Sequence, residues 1–160
     1  MARRFDDERS WTEHLASTDG VRALLEAVGH ADLPGRLAAA LHEVVVTLGD
    51  EAAVTHQLHL GGRYPDVTVH DRHGQVFAVV EAQRGRTDDK HLAKLAARYV
   101  PDSGARLGVL VAEAWDPRFR QHPAWAVCPA PVVVVIARDA LHHIDYHPVW
   151  AHHPPHDDVD

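Results

Sequence analysis

Two long apolar runs are the feature of this sequence that most limits how it can fold. The run from Ala105 to Ala112 holds one charged residue, and the run from Val132 to Ala137 holds none. Strands that are apolar on both faces are typical of the centre of a sheet that helices cover on both sides. Helical spacing of apolar residues occurs before the first predicted strand and again after residue 88. The order of elements, α, α, β, β, β, α, β, α, β, followed by a short edge element to Trp150, therefore predicts a single α/β domain with a mixed β-sheet flanked by helices.

The length and composition fit one globular domain without covalent cross-links. A chain of 160 residues is long enough to bury a core, and the one cysteine, Cys128, rules out a disulfide within the chain. We expect residues 1–151 to form the domain and the acidic, His- and Pro-rich residues 152–160 to form a disordered tail. The N-terminus lacks an apolar signal segment, and the longest apolar run is too short to cross a bilayer. We therefore expect a cytoplasmic protein with no membrane contact.

Two carboxylates lie at corresponding ends of a predicted β-hairpin. Asp66 precedes an alternating apolar strand, residues 71–74 (Asp-Arg-His-Gly) are typical of a turn, and the apolar run 76–80 leads directly to Glu81. Pairing of the two strands brings Asp66 and Glu81 to one end of the sheet, close enough to share a hard divalent cation through oxygen ligands. The alternative is a pair of solvated carboxylates at strand ends.

The residues around this hairpin resemble the PD-(D/E)XK nuclease-like superfamily. Its signature is Pro-Asp, a hairpin, then Asp or Glu, any residue and Lys; here Pro65-Asp66 is followed, fifteen residues on, by Glu81-Ala82-Gln83. The segment Thr87-Asp88-Asp89-Lys90-His91-Leu92 is similar to a helix start found in a bacterial branch with Glu-x-Gln. The resemblance covers residues 64–120. It implies a restriction-endonuclease-like fold and a metal-dependent nuclease, in the context of bacterial defence or mobile elements.

The resemblance also implies roles for individual residues. Asp66, Glu81 and the backbone carbonyl of Ala82 match the ligands of Mg²⁺ or Mn²⁺, which would polarise a phosphodiester and activate a water molecule. Gln83 occupies the lysine position, where an amide can orient a water but carries no charge. A lysine of the following helix would have to supply that charge. The expected catalytic residues are Asp66, Glu81, Gln83 and Lys90, with Lys94 as the alternative lysine.

A local excess of positive charge follows the acidic pair, although the whole chain carries a net charge of −7. Residues 84–106 hold six basic and three acidic residues. A basic strip beside two carboxylates suits a phosphate-bearing substrate, whereas the plain alternative is the solvated face of a helix. The predicted partner is nucleic acid, DNA before RNA, contacted by Arg84, Arg86, Lys94 and Arg98.

Other interpretations of the sequence stay open. A second interpretation keeps the fold without catalysis, as a binding or assembly subunit of a homodimer or a larger complex, which the net acidity and the missing lysine favour. A third interpretation assigns metal handling to the His-rich C-terminus, although its spacing matches no closed zinc site. Glu43 is a candidate third carboxylate and Gln57 a candidate cleft residue, but a solvent-facing Glu43 is the simpler expectation. Helix capping explains Asp88 without catalysis, and we expect Trp115, Trp125 and Trp150 to be core or interface anchors.

Overall fold

The helices and strands follow the order that the sequence predicts. The computed structural model describes residues 15, 17–49, 55–58, 64–140 and 143–155. The helices are α1 (Thr18–Val28), α2 (Gly35–Thr47), α3 (Asp89–Lys94) and α4 (Val100–Ser103), with a π-helical segment (Leu95–Tyr99) between α3 and α4 and two 3₁₀ helices (Pro117–Gln121 and Pro123–Val127). The strands are β1 (Thr55–Leu58), β2 (Val67–His70), β3 (Val76–Arg86), β4 (Leu107–Ala114), β5 (Val132–Ala140) and β6 (His143–His152). None of the helices among these residues is long and apolar enough to cross a membrane.

The strands of the described residues form one mixed sheet. Its six strands lie in the order β1-β2-β3-β4-β5-β6. The first three are antiparallel neighbours, β4 and β5 run parallel to β3, and β6 returns antiparallel to β5. Helical segments connect the parallel strands, because a parallel pair requires a crossover. The predicted fold class, a single α/β domain with a mixed sheet flanked by helices, is confirmed.

Each face of the sheet packs against a different set of helices. Val80 and Val109 belong to the core that α1 and α2 form on one face. Val79 and Leu110 belong to a second core, formed with the α3-to-α4 segment and the second 3₁₀ helix. Because successive residues of a strand point to opposite faces, Glu81 lies on the side of α3 and away from α2.

The first helix begins close to a break in the sequence pattern. The helical spacing of apolar residues is interrupted near Asp19 and Gly20, which leaves one or two helices possible before Val28; α1 begins at Thr18 and runs through both residues. The Ser17 hydroxyl accepts a hydrogen bond from the Gly20 N–H at 2.9 Å and so caps the first turn. The small and polar residues at this point therefore start the helix instead of breaking it.

The last strand is longer than the sequence predicts. A short edge element ending near Trp150 is expected, but β6 has ten residues and ends at His152. The His152 ring is buried and stacks on Trp125, with ring centroids 4.9 Å apart. This contact holds the residues after Trp150 in the strand. His152, the first residue of the predicted tail, therefore belongs to the sheet.

The helical stretch from α3 to α4 contains a wide turn. In its π-helical segment the hydrogen bonding widens from i→i+4 to i→i+5, with the Val100 N–H donating to the Leu95 carbonyl. Pro101 follows directly, and a proline ring within a regular α-helix clashes with the carbonyl four residues before it. The wide turn lets the helical stretch continue through Pro101 without this clash. The stretch then ends at Gly104, whose φ is +72°.

We expect Gly108→Ala to lower the free energy of unfolding by about 1 to 3 kcal/mol, because the core at this point has no room for a methyl group. A Cβ atom at Gly108 would lie 2.9 Å from one methyl group each of Val100 and Val132, which join α4 to the sheet. Urea unfolding of Gly108→Ala and of Gly35→Ala measures the effect. Gly35 is the matched control, since a Cβ atom there would have no neighbour within 4 Å. Equal stability of the two variants would contradict the prediction.

Candidate functional site

Asp66 and Glu81 are cross-strand neighbours at one end of the β2–β3 hairpin. The register pairs Val67 with Val80, so the next step outward sets Asp66 opposite Glu81. The Asp66 carboxylate accepts a hydrogen bond from the Ala82 N–H at 2.8 Å, and a side-chain hydrogen bond joins Asp66 to Glu81. The predicted hairpin is confirmed, and it brings the two carboxyl groups together.

Glu81 is a buried carboxyl group, with only 4% of its surface exposed. Burial, and then the negative charge of Asp66, raise the pKa of Glu81 from 4.5 to about 8, while the positive charge of Lys94 acts in the opposite direction. At neutral pH the two carboxyl groups therefore hold a proton between them, as closely spaced carboxyl pairs do. The negative charge that remains on the pair favours the binding of a positively charged group.

Gln83 ties the end of β3 to the start of α3. Its carboxamide donates to the Asp88 carboxylate at 2.8 Å and accepts from the Asp88 N–H at 3.0 Å. The other carboxylate oxygen of Asp88 accepts from the His91 N–H at 2.9 Å and lies 2.9 Å from the His91 ring nitrogen Nδ1. Asp88 is thus the N-cap of α3, as predicted, and hydrogen bonds lower its pKa despite the opposing effect of burial. The Gln83 amide, which stands where the superfamily signature has lysine, is thus hydrogen-bonded to the N-cap residue of α3.

Lys94 and Tyr99 approach the acidic pair from the helical stretch that covers β3. The Lys94 ammonium lowers the pKa of Glu81, so its charge reaches that carboxyl group. Burial, and then the charge of Glu81, raise the pKa of Tyr99, and the charge of Asp66 adds to this effect. Lys90 is exposed one turn earlier on α3. The lysine beside the pair is therefore Lys94, where the sequence-based expectation favoured Lys90.

Tyr99 lies near the pair, although its position in the sequence indicates only an apolar helix face that packs in the core. It follows Leu92, Leu95 and Ala96 in an apolar stripe, and all four are buried. Its only signal in the sequence is a hydroxyl group at the end of an otherwise aliphatic stripe, which buried tyrosines usually direct to a polar partner.

Two of the four predicted nucleic-acid contacts lie next to carboxylates of the β4 end. Arg84 donates to Glu113 at 2.9 Å, and the Gly85 N–H donates to the same oxygen at 2.7 Å. Arg86 is exposed, and its charge reaches Asp116, whose pKa falls to about 2 chiefly through hydrogen bonds from the neighbouring arginine at position 118. The Arg84–Glu113 ion pair and the negative charge of Asp116 near Arg86 leave less positive charge near β4 than the sequence suggests.

Arg98 is the predicted contact that lies next to the site and is open to solvent. It is exposed, and the carbon at the centre of its guanidinium group lies 5.8 Å from the centre of the Tyr99 ring. Together with Lys94 and the exposed Lys90 it forms a short row of cations, four residues apart along the helical stretch. The positive charge near the acidic pair therefore comes from this row, which we call the helix cations.

Glu43 and Gln57 do not join the acidic pair. Glu43 is exposed on α2, forms an ion pair with Arg72, and lines a cavity of about 290 Å³ beside the β2–β3 turn. The expectation of a solvent-facing Glu43 is confirmed. Glu43 lies away from the acidic pair because α2 covers the face of the sheet opposite Glu81. Gln57 is exposed on the edge strand β1, where it pairs with Thr68.

Three tryptophans, Trp115, Trp125 and Trp150, form a packed cluster at the β6 side of the sheet. Trp115 stacks on Trp150 with ring centroids 5.6 Å apart, and Trp150 contacts Trp125 at 5.2 Å. Trp125 is buried, and His152 on its face has a pKa lowered by burial. Among the residues that the structure describes, no group of three or more His, Cys, Asp and Glu side chains is placed to hold a metal ion. Cys128 is buried nearby, and burial raises the pKa of its thiol, as suits a structural residue.

Comparison of the chain with protein-family models, with curated proteins and with solved structures gives no match. The geometry and the chemistry of the site itself are therefore what indicate a function.

Proposed function

We propose that this protein is a metal-dependent nuclease that hydrolyses phosphodiester bonds of nucleic acid, with DNA as the preferred substrate. The observation that carries the proposal is the buried Glu81 carboxyl group, which lies beside Asp66. The pKa of Glu81 is raised to about 8. Burial of the Glu81 carboxyl group beside the half-buried Asp66 costs stability, and a divalent cation bound between the two offsets that cost. The Pro-Asp…Glu-x-Gln spacing supports the same function through the superfamily resemblance.

The residues of the pair fit a hard divalent cation, Mg²⁺ or Mn²⁺. Mg²⁺ is commonly held by one or two carboxylates, with waters and substrate phosphates in the other positions. Asp66 and Glu81 supply two carboxylates, and the main-chain carbonyl of Ala82 is the proposed third oxygen. When bound, such a cation polarises the scissile phosphate and lowers the pKa of a bound water.

In this proposal, the helix cations supply the positive charge that a lysine at position 83 would supply. Lys94 contributes positive charge at Glu81, where the phosphate of the substrate would approach. Lys90 and Arg98 are exposed and contact neighbouring phosphates of the strand. Such contacts are independent of sequence and weaken as salt rises. A reducing bacterial cytoplasm, in the context of defence or mobile elements, is the proposed setting, and the single cysteine of the chain agrees with it.

Cleavage assays with isosteric variants test the proposal. We expect the wild-type protein to cut plasmid, linear or single-stranded DNA, or RNA, with Mn²⁺ or Mg²⁺. Asp66→Asn and Glu81→Gln should each reduce the cleavage rate on the order of 100-fold, because each removes a ligand charge worth several kcal/mol. Glu26→Gln is the matched control, since Glu26 is an exposed glutamate on α1. Cleavage that survives both site substitutions would come from a contaminating enzyme, and a folded wild-type protein that cuts none of the substrates would contradict the proposal.

One observation favours a second candidate function, a catalytically inactive nuclease fold that acts as a binding or assembly subunit. The Gln83 carboxamide is hydrogen-bonded at both ends to Asp88, and it brings no charge to the acidic pair. A subunit of this kind forms a homodimer or joins a larger complex. Light scattering after size exclusion measures the assembly, which should be unchanged by Asp66→Asn and Glu81→Gln if the carboxylates have no catalytic role.

A further inference from the structure

The π-helical segment sets Tyr99 closer to the side of Lys94 than a regular α-helix would. In a regular α-helix, residues five positions apart are separated by about 140° around the axis, so they point in different directions. Here the Val100 N–H donates to the Leu95 carbonyl, five residues earlier, and the turn that holds Lys94 and Tyr99 is correspondingly wide. The extra residue in the turn narrows the angle between the two side chains, and the π-helical segment packs against β3. Single π-turns within helices are frequent at functional sites.

The packing of Tyr99 sets its ring beside Glu81. Tyr99 is 4% exposed and belongs to the same core as Val79 and Leu110. Val79 is two residues before Glu81 on the same face of β3, and Leu110 is the partner of Glu81 on β4. The ring therefore covers strand positions next to Glu81, and the negative charges of Glu81 and Asp66 both reach its hydroxyl group.

We propose that Tyr99 is a positioning residue of the Asp66–Glu81 site, brought there with Lys94 by the π-helical turn, and that its hydroxyl group supports the ionised pair when a divalent cation binds. This inference rests on the proposed function. Groups that hold ligating carboxylates in place are worth about 10- to 100-fold in metal affinity or activity. Because phenylalanine keeps the ring and its packing, Tyr99→Phe removes the hydroxyl group alone.

Titration of the full-length protein with Mn²⁺, followed by electron paramagnetic resonance, measures the affinity of the pair directly. We expect Tyr99→Phe to weaken Mn²⁺ binding about 10- to 100-fold at constant pH. Tyr146→Phe is the matched control, since Tyr146 is a buried tyrosine in the core on the opposite face of the sheet. An affinity of Tyr99→Phe within twofold of the wild type would overturn the inference.

Paramagnetic broadening tests the position of the ring without any need for catalysis. The chain has only three tyrosines, Tyr64, Tyr99 and Tyr146, so specific labelling gives a simple spectrum in which Tyr99→Phe identifies one signal. Mn²⁺ should broaden the Tyr99 ring signal and spare that of Tyr146, and Glu81→Gln should abolish the effect. Broadening that depends on Glu81 but misses Tyr99 would overturn the inference alone. Mn²⁺ that does not bind the wild type, or binds Glu81→Gln equally well, would overturn the proposed function as well.

Discussion

Glu81→Gln should stabilise the metal-free protein by about 3 to 4 kcal/mol at pH 8, because one pKa unit corresponds to about 1.4 kcal/mol. The pKa of Glu81 is raised from 4.5 to about 8 in the folded protein, so the folded state holds a proton that the unfolded state releases in this range. The free energy of unfolding of the wild type therefore falls as the pH rises from about 4.5 to about 8. Glutamine cannot ionise, and its N–H can donate to Asp66 as the protonated carboxyl group does.

Urea unfolding in EDTA at several pH values between 5 and 8 measures this difference. The wild type should lose stability across the range, while Glu81→Gln should show a flatter profile and equal the wild type near pH 5. Glu26→Gln, the exposed control on α1, should follow the wild type. Parallel profiles for the wild type and Glu81→Gln would mean that Glu81 is not protonated in the folded protein.

The same experiment with Mg²⁺ or Mn²⁺ separates a metal site from a buried acidic pair that merely binds a proton. Under the proposed function, the cation binds the ionised pair in the folded state and so raises the stability of the wild type at pH 8. Glu81→Gln lacks one ligand charge and should gain less. A wild type whose stability at pH 8 is the same with and without the cation would contradict the proposed metal site.

The central strands and the hairpin could be predicted because short-range patterns determine them. A strand that is apolar on both faces has few environments available other than the middle of a covered sheet, as β4 and β5 have. The pairing of Asp66 with Glu81 follows from two strands joined by a short turn, because the hairpin sets which residues lie opposite each other. The length of β6 was less predictable, since it depends on the packing of His152 against Trp125, which is distant in sequence.

The groups around the acidic pair depend on packing that the sequence pattern does not encode. Lys90 and Lys94 are one turn apart, and the rotation of the helical stretch over β3 decides which of them reaches Glu81. That rotation follows from the buried face of the stretch and from its π-helical turn, and neither the turn nor the role of Tyr99 has a clear local signature. The sequence around Arg84 gives no sign of its ion-pair partner, because Glu113 is 29 residues away. Arg84 was therefore expected to contact nucleic acid.

Asp88→Ala should lower the free energy of unfolding by about 2 to 4 kcal/mol, more than the loss of a helix cap alone. The substitution removes the acceptor for the His91 N–H, which costs about 1 kcal/mol in a typical N-cap. It also removes the acceptor for the Gln83 carboxamide, and Gln83 is 7% exposed. A buried N–H group left without a partner adds about 1 to 3 kcal/mol.

A double-mutant cycle of Asp88→Ala with Gln83→Ala, measured by urea unfolding, isolates the bond between these two side chains. Once Gln83 is alanine, Asp88→Ala leaves no buried amide without a partner, so it should cost only about 1 kcal/mol, the value of the cap. Coupling of more than about 1 kcal/mol would identify Gln83 as the residue that connects β3 to the start of α3. Additive effects would mean that the Gln83 amide gains little from Asp88. In that case a role for Gln83 in orienting a water at the acidic pair, as the superfamily resemblance implies, would regain support.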